Sequence, residues 1–289
     1  MQIIILALRD FYHKKLMFMK TVLYKTLILL FLLSFNAQFV VAQTTIPNGG
    51  FENWQNVGSD TEEPTNWNSN KTGGGFANLG PQTLFRDADA YAGSFCAKIE
   101  TQSTFGTAVN GTMTTGKIEA PSLSPSDGYI HTVRAEADFN SPFTGRPDSI
   151  VGYYKYMSVN GDMGKISFAL HGDYDVENPD QGGSAPFIIG EAEFLTPATD
   201  VTTWTRFSLP VTYSSPDSPF YILAIVTSSS AAGTAQQGSI LMVDEFEAIY
   251  NPPPPTATLD FGSLSPGGPY DITDALGASV TVALSLIHI

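Results

Sequence analysis

The sequence predicts an all-β protein, a jelly-roll-like antiparallel β-sandwich followed, after a Pro-rich linker, by a truncated second β module. Short strand-like runs recur with turn residues between them, and no long stretch has the apolar spacing of an amphipathic helix. Phe95, Ala97 and Ile99 alternate with other side chains after the turn at residues 91–94. Residues 220–227 are apolar on both faces, which is typical of a central strand between packed layers.

Residues 1–42 are interpreted as a secretory signal peptide. Lys20 and Lys25 precede an apolar run at residues 27–35, and the segment closes on Val-Val-Ala before Gln43. Met19 would begin a signal of ordinary length and is an alternative start. An uncleaved anchor is the other interpretation, but the apolar run is shorter than the roughly 20 residues of a spanning helix. We expect cleavage after Ala42, secretion or cell-surface display, and no membrane insertion afterwards.

The sandwich domain is expected to cover residues 43–250. Consecutive prolines at 252–255 cannot donate ladder hydrogen bonds, so residues 251–256 are predicted to form a semi-rigid linker. Residues 257–283 resemble the first strands of a second module. The last six residues, 284–289, match the translation of a transposase sequencing adapter, so we expect the natural protein to continue beyond Ala283 and give His288 no chemical role.

The charge of the chain excludes some partners. The full sequence has 14 basic and 28 acidic residues, and residues 43–289 keep 9 and 27 of these, for a net charge of −18. Such a chain repels phosphate backbones and anionic membrane surfaces, so nucleic acid is not an expected partner. Cys96 is the single cysteine and closes no intramolecular disulfide, so stability must come from the core.

Three segments carry a family resemblance. They are Ile46-Pro-Asn-Gly-Gly-Phe-Glu-Asn-Trp54, Phe143-Thr-Gly-Arg-Pro-Asp-Ser-Ile-Val-Gly-Tyr-Tyr-Lys-Tyr156 and Gly238-Ser-Ile-Leu-Met-Val-Asp-Glu-Phe-Glu-Ala-Ile-Tyr250. In order and spacing they resemble the PCMD family, the "putative carbohydrate metabolism domain" of secreted Bacteroidetes proteins. The resemblance implies a β-sandwich that handles glycans, and it names neither the glycan nor a reaction.

A metal site is predicted around Asp244. Strict alternation places Asp244 on the same face as Ile240, Met242, Phe246 and Tyr250, and a carboxylate on an apolar face needs a partner. The resemblance to glycan-binding jelly rolls implies a structural calcium between Glu52 and Asp244, with carbonyls near Asn48 and Lys98 as further ligands. A carboxylate held by backbone donors or by an arginine is the alternative.

Glycan contacts are expected from rings and polar side chains, because a pyranose stacks on an aromatic ring while polar neighbours bind its hydroxyls. Alternation puts Tyr154 and Tyr156 on one face of a strand and Tyr153 with Lys155 on the other, and one face must be core. Trp54 and Trp204 are interpreted as packing residues, and the Gly-rich loop at 71–78 as mobile. The predicted glycan-binding residues are Trp67, Arg146, Tyr154, Tyr156, Asp173 and Asp175.

Each of these residues also has a structural alternative. Arg146 can fix its own turn by pairing with Asp148, and the acidic run at 173–177 can be a solvated loop, since it lacks the Gly and Glu of an EF-hand. Trp67, in a Pro-Asn loop, can be a packing residue instead of an exposed ring.

The sequence favours a non-catalytic module. It has no Gly-x-Ser-x-Gly motif, and His131 and His171 are interpreted as structural. Glycoside hydrolysis remains an alternative because it needs only two suitably spaced carboxylates, for which Glu191 and Glu193 or the 173–177 run are candidates. A structural or adhesive surface module is the third hypothesis. The sequence does not indicate an oligomeric state.

Overall fold

The computed structural model describes Met17, residues 44–104, 106–230 and 233–251, and the backbone of Pro269–Thr273 and Ser279–Ala283. The chain divides into two units, residues 1–42 and 43–289. The predicted signal peptide, linker and adapter-derived end therefore lie almost entirely outside the described residues. None of the described helices has the length and apolar character needed to cross a membrane.

Residues 44–251, apart from the undescribed positions 105, 231 and 232, contain strands and short 3-10 helices but no α-helix. The 3-10 helices are Asn70–Thr72, Ala77–Leu79, Pro125–Asp127, Ala137–Phe139 and Ala185–Phe187. The strands are β1 (Trp54–Gln55), β2 (Glu63–Pro64), β3 (Gly74–Gly75), β4 (Leu84–Asp87), β5 (Cys96–Glu100), β6 (Gln102–Thr104), β7 (Thr107–Val109), β8 (Thr112–Thr114), β9 (Lys117–Ala120), β10 (Tyr129–His131), β11 (Ser149–Met157), β12 (Lys165–His171), β13 (Glu177–Asn178), β14 (Ile188–Leu195), β15 (Val201–Pro210), β16 (Thr212–Tyr213), β17 (Tyr221–Thr227), β18 (Ile240–Ile249), β19 (Pro269–Thr273) and β20 (Ser279–Ala283).

Two five-stranded antiparallel sheets form the sandwich. Sheet I has the order β15-β11-β18-β5-β4, and sheet II the order β16-β14-β12-β17-β8. Strands that are distant in sequence are neighbours in both sheets, as the crossing connections of a jelly roll require. The all-β jelly-roll-like sandwich predicted from the sequence is therefore confirmed.

The core lies between the two sheets. Side chains at alternate positions point inward, as the two-residue period of a strand dictates. From sheet I these are Ile99, Ile150, Tyr154, Tyr156, Phe207, Leu241 and Val243, and from sheet II they are Ile166, Phe168, Leu170, Ile222, Ala224 and Val226. All are at least nine-tenths buried, so one continuous cluster stabilises the domain without a disulfide.

A bulge in β18 overturns part of the predicted alternation. Glu245 has a left-handed backbone (φ 53°), and the pairing of β11 with β18 shifts register between Val151 and Tyr153. Leu241 and Val243 pack in the core before the bulge, and Phe246 packs there after it. Asp244 and Phe246 therefore lie on opposite faces, and not on one face as strict alternation predicts.

A third sheet covers the outer face of sheet II. It has the order β13-β10-β9-β3, with β3 parallel to β9. Ile130 of this sheet packs on Ala169, Leu223 and Ile225, which are the outward-facing residues of β12 and β17. Sheet II thus has apolar side chains on both faces, as the run at 220–227 indicated.

The two ends of the sandwich domain are joined by hydrogen bonds. The Tyr250 hydroxyl donates to the Thr44 carbonyl (2.7 Å), and the Asn251 N–H donates to the Asp148 carboxylate (2.6 Å). Residues 44 and 250 therefore lie at the same end of the sandwich.

Candidate functional site

Three of the predicted glycan-stacking rings are core residues. Trp67 is fully buried, packs on Phe51 and Phe246, and donates from Nε1 to the Pro47 carbonyl (2.8 Å). Tyr154 and Tyr156 are also buried, because they lie on the inward face of β11. The expectation that these rings stack on a sugar is corrected, since a buried ring offers no free face to a ligand.

The predicted polar contacts lie apart from one another. The Arg146 guanidinium lies 4.0 Å from the Tyr213 ring centroid and donates to the Asp217 carbonyl, so its partner is not Asp148. Asp217 lines a small cleft of about 380 Å³ with Phe187 and Phe220.

Asp173 and Asp175 instead form an ion-pair cluster with Arg134. The Arg134 guanidinium donates to Asp173 Oδ1 (2.7 Å) and to Asp175 Oδ1 (2.8 Å). The pair is arranged around a basic side chain of the protein itself, which is the arrangement expected of a structural surface loop. The Arg146 turn and this cluster are separate surface features.

Glu52 and Asp244 hold the same segment, residues 91–95. Glu52 Oε1 accepts from the N–H groups of Ser94 (2.8 Å) and Phe95 (3.1 Å), and Asp244 Oδ2 accepts from those of Tyr91 (2.8 Å) and Ala92 (3.2 Å). Gly93 lies between them with φ 68°, and a side chain there would meet Glu52 Oε1 at 2.2 Å. The two predicted metal ligands are therefore linked through one backbone segment, residues 91–95, which we call the strap.

The charge on Asp244 is buried without a basic partner. Within the described residues, no Lys or Arg side chain pairs with it. The pKa of Asp244 is raised to about 6, mainly because burial disfavours the charged carboxylate. The nearby Glu245 carboxylate also raises this pKa, whereas hydrogen bonds from the N–H groups of Ala92, Tyr91 and Glu245 lower it. Backbone N–H groups thus hold the Asp244 carboxylate, and no arginine pairs with it among the described residues.

A cleft of about 550 Å³ lies on the opposite side of the domain, on the outer face of sheet II. Strands β8, β12 and β17 form its floor, and the hairpin of β6 and β7, the 3-10 helix Ala77–Leu79 and the β9–β10 segment line its sides. Its apolar lining residues include Phe76, Leu79, Val109, Ile118, Leu123, Tyr129, Ile130 and Ile225. Its polar lining residues include Asn70, Asn110, Thr112, Glu119, Lys165, Asn178 and Thr227.

Two rings in this cleft were not predicted as site residues. Phe76 follows three glycines, and its N–H donates to the Ala120 carbonyl (2.8 Å). Lys71 Nζ donates to the Asn78 and Gly80 carbonyls, so hydrogen bonds fix the loop that was interpreted as mobile. Tyr129 follows a Pro-Ser-Asp-Gly turn. In the sequence, only the position of each ring beside a turn indicates a binding role, and tryptophan is the more usual residue for stacking on a sugar.

Charge in the cleft is sparse. Lys165 and Glu119 are its only charged side chains among the described residues. Glu119 Oε1 lies 3.6 Å from Lys117 Nζ and 3.7 Å from His131 Nε2. Burial raises the pKa of the Tyr129 hydroxyl, and the Glu119 carboxylate adds to this, so the phenol is neutral and available as a hydrogen-bond donor.

Comparison with solved structures finds carbohydrate-binding modules and an adhesin domain. The carbohydrate-binding module TmCBM61, solved with β-1,4-galactotriose, has 11% identity and a TM-score of 0.34, covering 73% of this chain and 100% of that chain. The module CBM28, specific for non-crystalline cellulose, has 12% identity and a TM-score of 0.38, covering 72% and 96%. The K3 cleaved adhesin domain of Lys-gingipain from Porphyromonas gingivalis has 10% identity and a TM-score of 0.34, covering 73% and 99%.

Comparison with curated proteins finds no match. The model of one family, described as "PCMD: Putative carbohydrate metabolism domain", matches residues 42–249. This match includes the first two of the segments that carry the resemblance and all of the third except Tyr250, and it covers more than two thirds of the chain. The chain belongs to the PCMD family.

Proposed function

We propose that this protein is a secreted, non-catalytic carbohydrate-binding module that holds a short stretch of glycan in the cleft on sheet II. The observation that carries the proposal is the cleft itself. Its volume of about 550 Å³ lies within the range of small-ligand sites, roughly 300–1,000 Å³. Apolar residues and two rings can contact the C–H faces of a sugar, and the amides and hydroxyls at its sides can bind sugar hydroxyls. Family membership supports the choice of a carbohydrate ligand.

Binding is favoured over hydrolysis by the carboxylates. A glycosidase of the common kind needs two carboxylates flanking the scissile bond. Among the described residues that line the cleft, Glu119 is the one carboxylate. Glu191 and Glu193 of β14 do not line it, and Asp173 and Asp175 are paired with Arg134. The cleft therefore has acceptors for hydroxyls but not the acid pair of a hydrolase.

The test is binding of the full chain to an array of plant, algal and host glycans with calcium present. We expect one glycan class to bind, and Tyr129→Ala to weaken that binding about tenfold, because the ring supplies stacking area and a donor. Tyr91→Ala is the control, since Tyr91 is an exposed ring that stacks on Tyr153 on the outer side of sheet I, away from the cleft.

Three outcomes would contradict the proposal. Failure of every glycan to bind would favour an adhesive or structural role, and equal loss of binding in both variants would place the ligand elsewhere. Release of reducing ends from the bound glycan would show an enzyme.

We further propose a structural calcium beside Glu52 and Asp244. Calcium takes six to eight oxygen ligands, and Asp244 has a buried negative charge that no described lysine or arginine side chain balances. The described residues contain no group of three or more His, Cys, Asp or Glu side chains suited to a metal. Two carboxylates would therefore need backbone carbonyls to complete the shell. A bound cation would compensate the charge of Asp244 and tie residues 91–95 to β18.

Thermal unfolding with calcium and with chelator tests this site. We expect the wild-type Tm to be higher in calcium, and Asp244→Ala to melt at the same lower temperature in both solutions. The lost hydrogen bonds to a charged acceptor should cost about 2–3 kcal/mol. Glu52→Gln, at an exposed position, serves as a second variant if Asp244→Ala does not fold. A wild-type Tm indifferent to calcium would end the metal hypothesis and leave the glycan proposal standing.

A further inference from the structure

Three side chains form a row across the floor of the cleft. Lys165 of β12 pairs with Thr227 of β17, and Thr227 pairs with Thr112 of β8. Residues paired across adjacent strands point to the same face, and neighbouring strands are about 4.8 Å apart, so the row spans about 10 Å. All three residues line the cleft. The row places one lysine and two threonine side chains on the floor of the cleft.

The hydroxyl of Thr227 has no hydrogen-bond partner among the residues that the structure describes. The residue is 7% exposed, and its Oγ1 is buried. The side chains of most other buried threonines and serines in this sheet are bonded, as when Thr114 Oγ1 donates to the Ala224 carbonyl (2.7 Å). A buried hydroxyl without a partner is unfavourable by roughly 1–3 kcal/mol, so a ligand group that accepts its hydrogen would stabilise the complex.

Within the described part of the chain, the one carboxylate paired with Lys165 is distant. Its Nζ lies 3.9 Å from Glu193 Oε2, and the Glu193 side chain is 57% exposed, so this pair contributes little. Glu119, the other charged residue of the cleft, lies beside Lys117 and His131. Lys165 is therefore the cation of the cleft that can bind an anion from a ligand.

We propose that the cleft selects acidic glycans, whose carboxylate or sulfate group sits over Lys165 and accepts the hydrogen of the Thr227 hydroxyl. The inference rests on the proposed glycan site, and it adds the chemical class of the sugar. A neutral sugar hydroxyl could satisfy Thr227, but it would leave the partly buried ammonium with only the distant, exposed carboxylate of Glu193 as a counter-charge among the described residues. An anion satisfies both groups, and charge-assisted hydrogen bonds are about twice as strong as neutral ones.

The experiment compares each acidic oligosaccharide with its neutral counterpart on the full chain. The probes are uronate oligosaccharides with their carboxyl-reduced forms, and sulfated oligosaccharides with their desulfated forms. We expect one acidic form to bind at least about tenfold more tightly than its neutral counterpart. Lys165→Met should abolish this preference, and Lys165→Arg should keep it. Lys98→Met, on the other sheet, is the charge-matched control and should also keep it.

The outcomes separate this inference from the function on which it rests. Equal binding of acidic and neutral forms, weakened by Tyr129→Ala, would keep the cleft as a glycan site and overturn the acidic preference. A preference that survives Lys165→Met with an unchanged Tm would likewise overturn it. Failure of every probe to bind would overturn both.

Discussion

At the scale of single residues, two buried ionisable groups respond to pH in opposite ways. Burial lowers the pKa of His171 to about 4. Nδ1 donates to the Gly172 carbonyl, and Nε2 accepts from the Thr132 hydroxyl, so the ring is neutral. Burial raises the pKa of Asp244 to about 6. The contribution of His171 to folding stability is fully present above the pKa that the residue has in the unfolded chain, and it is lost as the pH falls towards 4. The stability from Asp244 is complete below its unfolded pKa and is lost as the pH rises towards 6.

We therefore predict opposite pH dependences for two variants, measured by urea unfolding between pH 4 and 6 in chelator. The unfolding free energy of Asp244→Asn minus that of the wild type should increase as the pH rises. The wild type loses stability as Asp244 ionises, whereas the amide, which mimics the protonated acid, does not ionise. The corresponding difference for His171→Gln should decrease as the pH rises. The wild type gains stability as the pH rises because its buried ring is neutral, and the variant lacks this gain. Each difference should be at most about 3 kcal/mol over the window. Parallel curves for both variants and the wild type would contradict these pKa values.

Residue types also explain where the sequence-based site failed. Tryptophan is as suited to a sugar as to a core, and the Pro-Asn context of Trp67 is typical of an exposed loop. Its position is decided by the Pro47 carbonyl, twenty residues away, which accepts its N–H inside the domain. Sequence spacing contains no information about that contact. The link of Glu52 with Asp244 was predictable through family resemblance, because both belong to segments that carry it.

At the scale of elements, the bulge in β18 depends on a glycine in the neighbouring strand. The register shift leaves Gly152 of β11 facing the rings of Phe246 and Phe207. A Cβ at Gly152 would lie 2.6 Å from Phe246 Cδ1 and 2.8 Å from Phe207 Cζ. The rings pack in the space that the missing side chain leaves, so the glycine and the bulge act together.

We predict that Gly152→Ala lowers the unfolding free energy by about 1–3 kcal/mol, as overpacking of a core does. Gly172→Ala is the matched control, because the nearest atom to its Cβ would be 3.8 Å away. Denaturant unfolding of both variants gives the comparison. Similar stabilities for the two would show that the rings move aside without cost.

The elements also set the limit of prediction from sequence. Alternation grouped the side chains of β5, β11 and β12 by face correctly, because a regular strand has a fixed period of two, but it did not show which face of β11 is core. Alternation failed after Asp244, because nothing in the sequence indicates that the backbone of Glu245 adopts a left-handed conformation. The cleft was missed for a different reason. Its lining comes from β6 to β10, β12 and β17, and only the pairing of distant strands brings these together.

At the scale of the whole molecule, net charge opposes the proposed ligand. Residues 43–289 have a net charge of −18, so an acidic glycan is repelled at long range although Lys165 attracts it at contact. The Debye length falls from about 30 Å at 0.01 M salt to about 8 Å at 0.15 M. Screening then removes the long-range repulsion first.

We predict that the association rate constant of an acidic oligosaccharide rises with salt over this range. That of its neutral counterpart should stay constant and serves as the control. Stopped-flow measurement on the full chain gives both rates. An association rate that falls with salt would mean that a local positive field dominates the approach, in conflict with the charge of the chain.

The bonding of Tyr250 to Thr44 has a consequence for protein engineering. Because the first and last residues of the sandwich lie close together, the domain can be inserted into a surface loop of a host protein without distorting the backbone of either protein. The cleft, formed by strands far from that junction in sequence, would remain intact in such a fusion. The domain is thus suited to use as a transplantable part.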